Sequence, residues 1–230
     1  MALFAFATLV ALGAVAGAQD AETTLPEAYS LQFENEWVKV VRVRYAPHVK
    51  LPAHAHTKMA SAYVYLSDSG PVIFRHVGAE YGAATRPPVK AGTFRLWRAV
   101  GETHEVENTS ALASDFLRVE FKTEPRDERT LKGRYHREAV PAEGILEKVQ
   151  FENAQIRITR MVCAAGRTLS VRTADVPSLV VALTAAPALE MGRERWIPAG
   201  HAEQFTNSGS APMELLRFEF LTAPTRTATR

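Results

Sequence analysis

Leu51-Pro52-Ala53-His54-Ala55-His56 is the stretch on which the reading of this chain turns. Side chains along a strand alternate between faces, so a His-x-His pair on a strand aims both imidazoles the same way. Two neutral imidazoles on one face are the beginning of a metal site. Further on, Gly101-Glu102-Thr103-His104, followed by Asn108, supplies a third imidazole from a separate segment that can close against the first two. The surroundings read as strands. Residues 37–45 have β-branched content and partial alternation, Ser61-Ala62-Tyr63-Val64-Tyr65-Leu66 ends at the turn signal Ser67-Asp68-Ser69-Gly70, and Val72-Ile73-Phe74 opens another run. Leu117-Val119-Phe121 alternates with Arg118-Glu120-Lys122 as a two-sided strand. Residues 78–92, with Pro87-Pro88, read as a loop, and nothing before Glu124 has helical periodicity.

The 230 residues, nearly half of them apolar, suffice for one large or two modest cores. A formal charge of +2 from scattered, nearly balanced basic and acidic residues gives no electrostatic footprint for nucleic acid. The one cysteine, Cys163, excludes an intrachain disulfide framework and a cysteine-based zinc site, and is read as a small core hydrophobe.

The chain repeats itself. Gln32-Phe33-Glu34-Asn35 recurs as Gln150-Phe151-Glu152-Asn153, an offset of 118. Leu117-Arg118-Val119-Glu120-Phe121 recurs as Leu216-Arg217-Phe218-Glu219-Phe220, an offset of 99, and Trp97 is matched to Trp196. The second copy is therefore shorter by 19 residues in its middle, where a surface loop tolerates insertion. Alternating strands in two like halves predict an all-β chain of two tandem antiparallel β-barrels of jelly-roll, or double-stranded β-helix, type. The expected boundaries are a first barrel over residues 31–124, a linker over 125–146, a second barrel over 147–224 and a tail over 225–230.

The histidine stretches resemble the cupin superfamily, whose two motifs are written G-x5-H-x-H-x3,4-E-x6-G and G-x5-P-x-G-x2-H-x3-N. His54, His56, His104, Gly101 and Asn108 fall on motif positions, whereas His48 stands at the first glycine, Ala60 or Ser61 at the acidic ligand and Ala99 at the proline. The resemblance implies a two-barrel cupin with a divalent metal (Fe, Mn, Zn or Cu) on His54, His56 and His104 of the first barrel. Applying the offsets places Arg172 opposite His54, Ala174 opposite His56 and Glu203 opposite His104, so the second barrel is read as degenerate. Arg172 and Glu203 are candidates for an interior ion pair or an acid-binding arginine, with a structural role the better reading. In the second copy Gly166 and Pro198-Ala199-Gly200 keep the turns, and Asn207 matches Asn108.

Tyr63, Tyr65, Ser61, His76 and Asn108 are candidates for the walls of the cavity, Tyr63 and Tyr65 being equally at home as packed aromatics. Three neutral imidazoles leave a dipositive ion unneutralised and favour an anionic chelating substrate. Two readings stand: a metal-dependent, dioxygenase-like enzyme on a small organic acid or phenol, and a non-catalytic ligand-binding or structural protein. The expected partner is a small-molecule ligand, with a homodimer left open. Residues 1–18 are an uncharged apolar run ending in Ala16-Gly17-Ala18. This is the pattern of a signal peptide cut before Gln19, predicting a periplasmic or secreted protein; a retained anchor is the competing reading, but the run is short and rich in alanine for a membrane span.

Overall fold

The computed structural model describes residues 21–78, 82–138, 144–185 and 189–225, so the expected signal segment lies outside the described residues. After one helical turn, α1 (Ala21–Thr24), the first half holds β1 (Tyr29–Glu34), β2 (Val38–Tyr45), β3 (Lys50–His56), β4 (Ser61–Tyr65), β5 (Val72–His76), β6 (Ala83–Arg86), β7 (Phe94–Trp97), β8 (Glu102–Asn108), β9 (Ser114–Phe121) and β10 (Lys132–Tyr135). The second half holds β11 (Ile145–Glu152), β12 (Ile156–Cys163), β13 (Thr168–Arg172), β14 (Ser178–Ala182), β15 (Glu194–Ile197), β16 (Ala202–Thr206) and β17 (Met213–Phe220).

Each half is a large sheet facing a smaller one, all pairings antiparallel. The first half has the orders β1-β2-β9-β4-β7-β10 and β3-β8-β5-β6; the second has β11-β12-β17-β14-β15 and β13-β16. The first five strands of the large sheets correspond one to one, as a tandem duplication requires. The 19-residue shortfall of the second copy falls where the first has the hairpin β5–β6. Part of the stretch expected to be a loop is thus a strand: Ala83–Arg86 pairs with β5, from Val72↔Arg86 to Arg75↔Ala83. Ala-Ala-Thr-Arg has little strand propensity of its own, and the edge of β5 supplies what the local sequence lacks.

The charge-dense stretch between the copies also joins the sheet. Its β10 pairs with β7, Lys132↔Trp97 through Tyr135↔Phe94. Tyr135 stacks on Phe94 (centroids 4.7 Å apart, 13° between planes) and meets Phe151 of the second half edge-on at 5.9 Å. The 125–146 segment is therefore partly built into the first barrel.

Strand alternation sorts the side chains into three apolar cores. On β9, Leu117, Val119 and Phe121 face the second half, where they pack with Val38, Val40, Ala62 and Val64 against Ile156, Ile158, Leu216, Phe218 and Phe220. This central core, made of one face of each large sheet, joins the halves. Each large apolar side chain so buried contributes about 1.5–3 kcal/mol. The opposite faces line the barrel interiors. The second interior is filled by Met161, Leu169, Val171, Val180, Phe205, Met213 and Leu215, with Cys163 among them as a small hydrophobe. The first interior is lined instead by Val41, Val43, Tyr45, Tyr65, Val72, Val106 and Phe116, and polar groups sit beside them.

The alternation also corrects one match between the copies. Ser61 pairs with Trp97 and Glu120, whereas Ser178 pairs with Ile197 and Glu219. The counterpart of Trp97 is therefore Ile197, and Trp196 corresponds to Leu96. A one-residue slip in a strand exchanges faces. Trp97 accordingly borders the first barrel's cavity, and Trp196 packs in the core between the barrels beside Phe33, Trp37 and Phe220.

Candidate metal centre

Strict alternation from Leu51, which faces the first interior, would point Ala53 and Ala55 inward and both histidines out. A β-bulge prevents this. Leu51 pairs with Val106, but the next pairs are His54↔His104, Ala55↔Thr103 and His56↔Glu102, so β3 carries one extra residue at Pro52-Ala53. A bulge re-aims the strand beyond it, and here it turns His54 and His56 into the barrel. Pro52 suits the position because it has no N–H to offer the ladder.

The equivalent pairing in the second copy has no bulge, running unbroken from Thr168↔Thr206 to Arg172↔Ala202. Val171, opposite Glu203, is thus the counterpart of His54. This corrects the expectation for Arg172, which is exposed on the outer face, where its carbonyl accepts a hydrogen bond from Arg217 Nη2 at 3.0 Å. Glu203 pairs with Arg195 at 3.0 Å rather than with Arg172.

In the first barrel the three motif histidines converge. Their ring centroids are 4.9 Å (His54–His56), 5.0 Å (His54–His104) and 4.9 Å (His56–His104) apart, and one ligand atom from each lies within 4.8 Å of the others. His54 and His104 are each only 4% exposed. The Pro52 carbonyl, 2.8 Å from His54 Nδ1, can only accept, so Nδ1 carries the proton and Nε2 keeps its lone pair. Tyr29 donates its hydroxyl to that Nε2 at 2.7 Å, and Tyr45 lies 2.8 Å from the Tyr29 oxygen. Burial holds both phenols in the protonated, donating form: it pushes Tyr29 well up and Tyr45 to about 12.

Burial, with the nearby charge of Arg118 and the other histidines, also depresses His56 well below the ordinary imidazole value. It lowers His54 too, against the pull of the Pro52 carbonyl. Neutral imidazoles are what a metal needs. His104 gives the test of fit: both of its ring nitrogens are buried and neither has a hydrogen-bond partner. Such orphaned groups are unfavourable unless something binds them, and a divalent cation held by three imidazoles would satisfy one of the two nitrogens. The donor set fits a metal.

A carboxylate stands close by, though not where the motif has one. Glu102, two residues before His104 and on the same face of β8, forms a second possible ligand group with His76 and His104. Trp97 Nε1 donates to it at 3.2 Å. His56 and His104 open onto a cavity of about 390 Å³ whose walls include Tyr63, Tyr65, Phe74, His76 and Phe116. Five arginines, Arg86, Arg95, Arg98, Arg118 and Arg134, also border it, against Glu102 as the one carboxylate of the lining. Arg118 is countered by Glu120, its Nε 3.0 Å from the carboxylate, and Arg86 donates to Ser69 and Ser114 at 3.2 and 2.9 Å.

Of the residues expected in the walls, Tyr63, Tyr65 and His76 are there. Asn108 is not: its amide donates to the carbonyls of Ala46 and Leu112, both at 2.9 Å, and its oxygen accepts from Ser110 N, which locks a turn. Asn207 makes the equivalent bonds to Cys163 and Ala211, which explains why a copy without ligands still has it. Ser61 spends its hydroxyl on the Met59 carbonyl at 3.1 Å and is absent from the lining.

No family model matches the chain, and no curated protein sequence matches it. Solved structures do. A salicylate 1,2-dioxygenase from Pseudaminobacter salicylatoxidans superposes with a TM-score of 0.53 at 12% identity, over 80% of this chain and 71% of that one. A vicilin from Solanum melongena gives 0.57 at 11%, over 80% and 74%. A variant of Bacillus subtilis oxalate decarboxylase gives 0.54 at 12%, over 89% and 72%. The chain has a two-barrel cupin fold. Among the described residues the histidine group lies in the N-terminal barrel, and the interior of the other is filled by apolar packing. Among the described residues no helix is long and apolar enough to cross a membrane.

Sequence reasoning passed over four groups in this first barrel: Tyr29, Glu102, Arg95 and Arg118. Glu102 was open to discovery, being two residues from His104 and so on the same face of the strand. Arg118 likewise alternates with the core residues of β9. Tyr29 reaches His54 through sheet pairing that no local pattern reveals.

Proposed function

We propose that the first barrel holds one divalent metal ion on His54, His56 and His104 and uses it in oxygenase-type chemistry on a small organic acid or phenol. The observation that carries this is the near-equilateral group of three histidines, two of them buried, beside a cavity rich in arginine. When bound, such an ion supplies Lewis acidity and positions for substrate beside the three imidazoles. The remaining roles belong to the chain. The Pro52 carbonyl fixes the tautomer of His54, Tyr29 gives up its bond to His54 Nε2 when that lone pair ligates the ion, and the aromatic walls keep water from the reacting groups. The arginines favour a negatively charged substrate. Iron, manganese, zinc and copper all suit three imidazoles. We also propose that the protein works after export from the cytoplasm, on the strength of the apolar residues 1–18.

The test is metal analysis of untagged protein after exposure to each of the four metals, followed by oxygen uptake with organic acids and phenols. About one metal per chain, lost in His54→Ala and His104→Ala, is the expected result. Protein that takes up none of the four would leave the non-catalytic binding protein as the reading.

A further inference from the structure

We propose that Arg95 is the anchor for the carboxylate of an aromatic acid bound in the first barrel. The argument begins with a row of side chains in register. Arg134 on β10 pairs with Arg95 on β7, Arg95 with Tyr63 on β4, and Tyr63 with Arg118 on β9. All four border the cavity.

The second barrel holds a corresponding row beside an interior filled with apolar side chains. There Arg195 pairs with Val180 and Val180 with Arg217. Each of those arginines has a carboxylate, Arg195 with Glu203 and Arg217 with Glu219, both at 3.0 Å. In the first barrel Arg118 keeps the equivalent partner, Glu120. Arg95 does not, because the residue corresponding to Glu203 is the metal-site histidine His104. Among the described residues no carboxylate pairs with Arg95. Its guanidinium lies over the Tyr63 ring, 4.6 Å from the centroid, and 5.5 Å from that of Trp97, while its Nε is buried with no hydrogen-bond partner.

A guanidinium held over an aromatic ring keeps its N–H groups for binding a carboxylate through parallel bonds. The duplicate shows that a carboxylate is what this position takes when the protein supplies one. Here a ligand supplies it. The walls around the row, Tyr63, Tyr65, Phe74 and Phe116, suit a planar apolar body attached to that carboxylate. The exposed Arg134 at the end of the row draws the anion in.

The proposal rests on the metal reading for the reaction but not for binding, so the two are separable. Isothermal titration of metal-free protein with benzoate, 2-hydroxybenzoate and benzamide measures binding, and zinc titration is carried out in parallel. The acids should bind about tenfold or more tighter than the amide, as loss of a charge-assisted hydrogen bond predicts. Arg95→Gln should abolish that preference and leave zinc stoichiometry unchanged, and Arg95→Lys should restore part of it. Acid and amide binding alike to the wild type, no acid binding at all, or Arg95→Gln discriminating as well as the wild type would each overturn the proposal. Should Arg95→Gln fail to fold, Arg95→Lys and the acid–amide comparison on the wild type still decide. Arg95-dependent acid binding by a protein that takes up no metal would support this inference and sink the metal reading alone.

Discussion

Glu102 Oε2 stands 3.6 Å from His104 Nδ1 and 3.9 Å from His76 Nε2, one carboxylate facing two imidazoles. Burial works against its charge, but His104, His76 and the Trp97 indole outweigh that and hold the carboxyl below the usual range. An anionic Glu102 is the natural acceptor for a proton on His104 Nδ1, which leaves Nε2 for the metal. Replacing Glu102 with alanine should therefore weaken metal binding by about 10–100-fold, the usual cost of losing such a carboxylate. Competition against a chromophoric chelator measures it. Affinity within about twofold of the wild type would disconnect Glu102 from His104.

The bulge predicts that one residue of β3 is dispensable. Deleting Ala53 removes the extra residue, so Leu51, His54 and His56 should then alternate onto the inner face in simple register with β8. The unbulged pairing of β13 with β16, where Leu169 and Val171 both face inward, shows that this fold accepts the shorter version. Stoichiometric metal should therefore be retained, whereas inserting a second alanine after Ala53 should turn His54 and His56 outward and abolish it while the β-type circular dichroism persists. Metal lost on the deletion, or kept on the insertion, would mean that the residue count through the bulge does not set the direction of the histidines.

The same bulge marks the limit of what was legible beforehand. His-x-His announced two imidazoles on one face, and the internal repeat announced two like barrels with ligands in only one. Both are local or self-referential patterns. Which face the imidazoles take depends on a pairing register with β8, and a residue count through Pro52-Ala53 does not show it. That is why the offset of 118 paired His54 with Arg172 when the structure pairs it with Val171. Register likewise decided the roles of Trp97 and Trp196. The arginine row was hidden for the same reason, since Arg134, Arg95, Tyr63 and Arg118 are distant in sequence and meet only across paired strands.

His48 stands at the motif glycine and pays for it in backbone strain. Its φ is +57°, and Gly166, its counterpart in the second copy, has φ +71°. Only glycine takes this left-handed conformation without a clash at Cβ. His48 is exposed and lies outside the cavity lining. His48→Gly should therefore stabilise the protein by about 1 kcal/mol, the scale of the relieved strain, with metal binding unaffected. Urea unfolding of metal-free protein reads the change, and a destabilised variant would contradict it.

A polar cluster at the barrel junction bears on stability alone. Arg160 is fully buried, with Nη1 3.3 Å from Glu214 and Nη2 donating to the Gly92 carbonyl at 2.6 Å, and Arg137 reaches the same carboxylate. Glu214→Ala leaves the Arg160 charge buried without its partner, which costs about 3–5 kcal/mol. The double replacement Arg160→Met with Glu214→Leu should recover much of that loss, since an apolar pair of similar size needs no counter-charge. Denaturant midpoints of the single and double variants make the comparison. A single variant as stable as the wild type would show that the cluster carries no buried charge.

The depressed imidazoles give stability a definite pH dependence. His54 and His56 titrate below 6.5 in the folded protein, chiefly because burial disfavours their charged forms, and near 6.5 in the unfolded chain. Between the two values the unfolded chain holds more protons, so acid drives unfolding. The contribution of these residues is complete above 6.5 and is lost progressively as pH falls through the folded values, below which no more is lost. Bound metal extends the effect, because protons compete with it for the same lone pairs. Urea midpoints of metal-free wild type and His56→Gln at pH about 8, 6 and 5 isolate the histidine term from that of the other titrating groups. The wild type should lose more stability than the variant on acidification, and the gap should widen when zinc is present. Parallel losses in the two proteins would show that His56 is not held neutral by its burial.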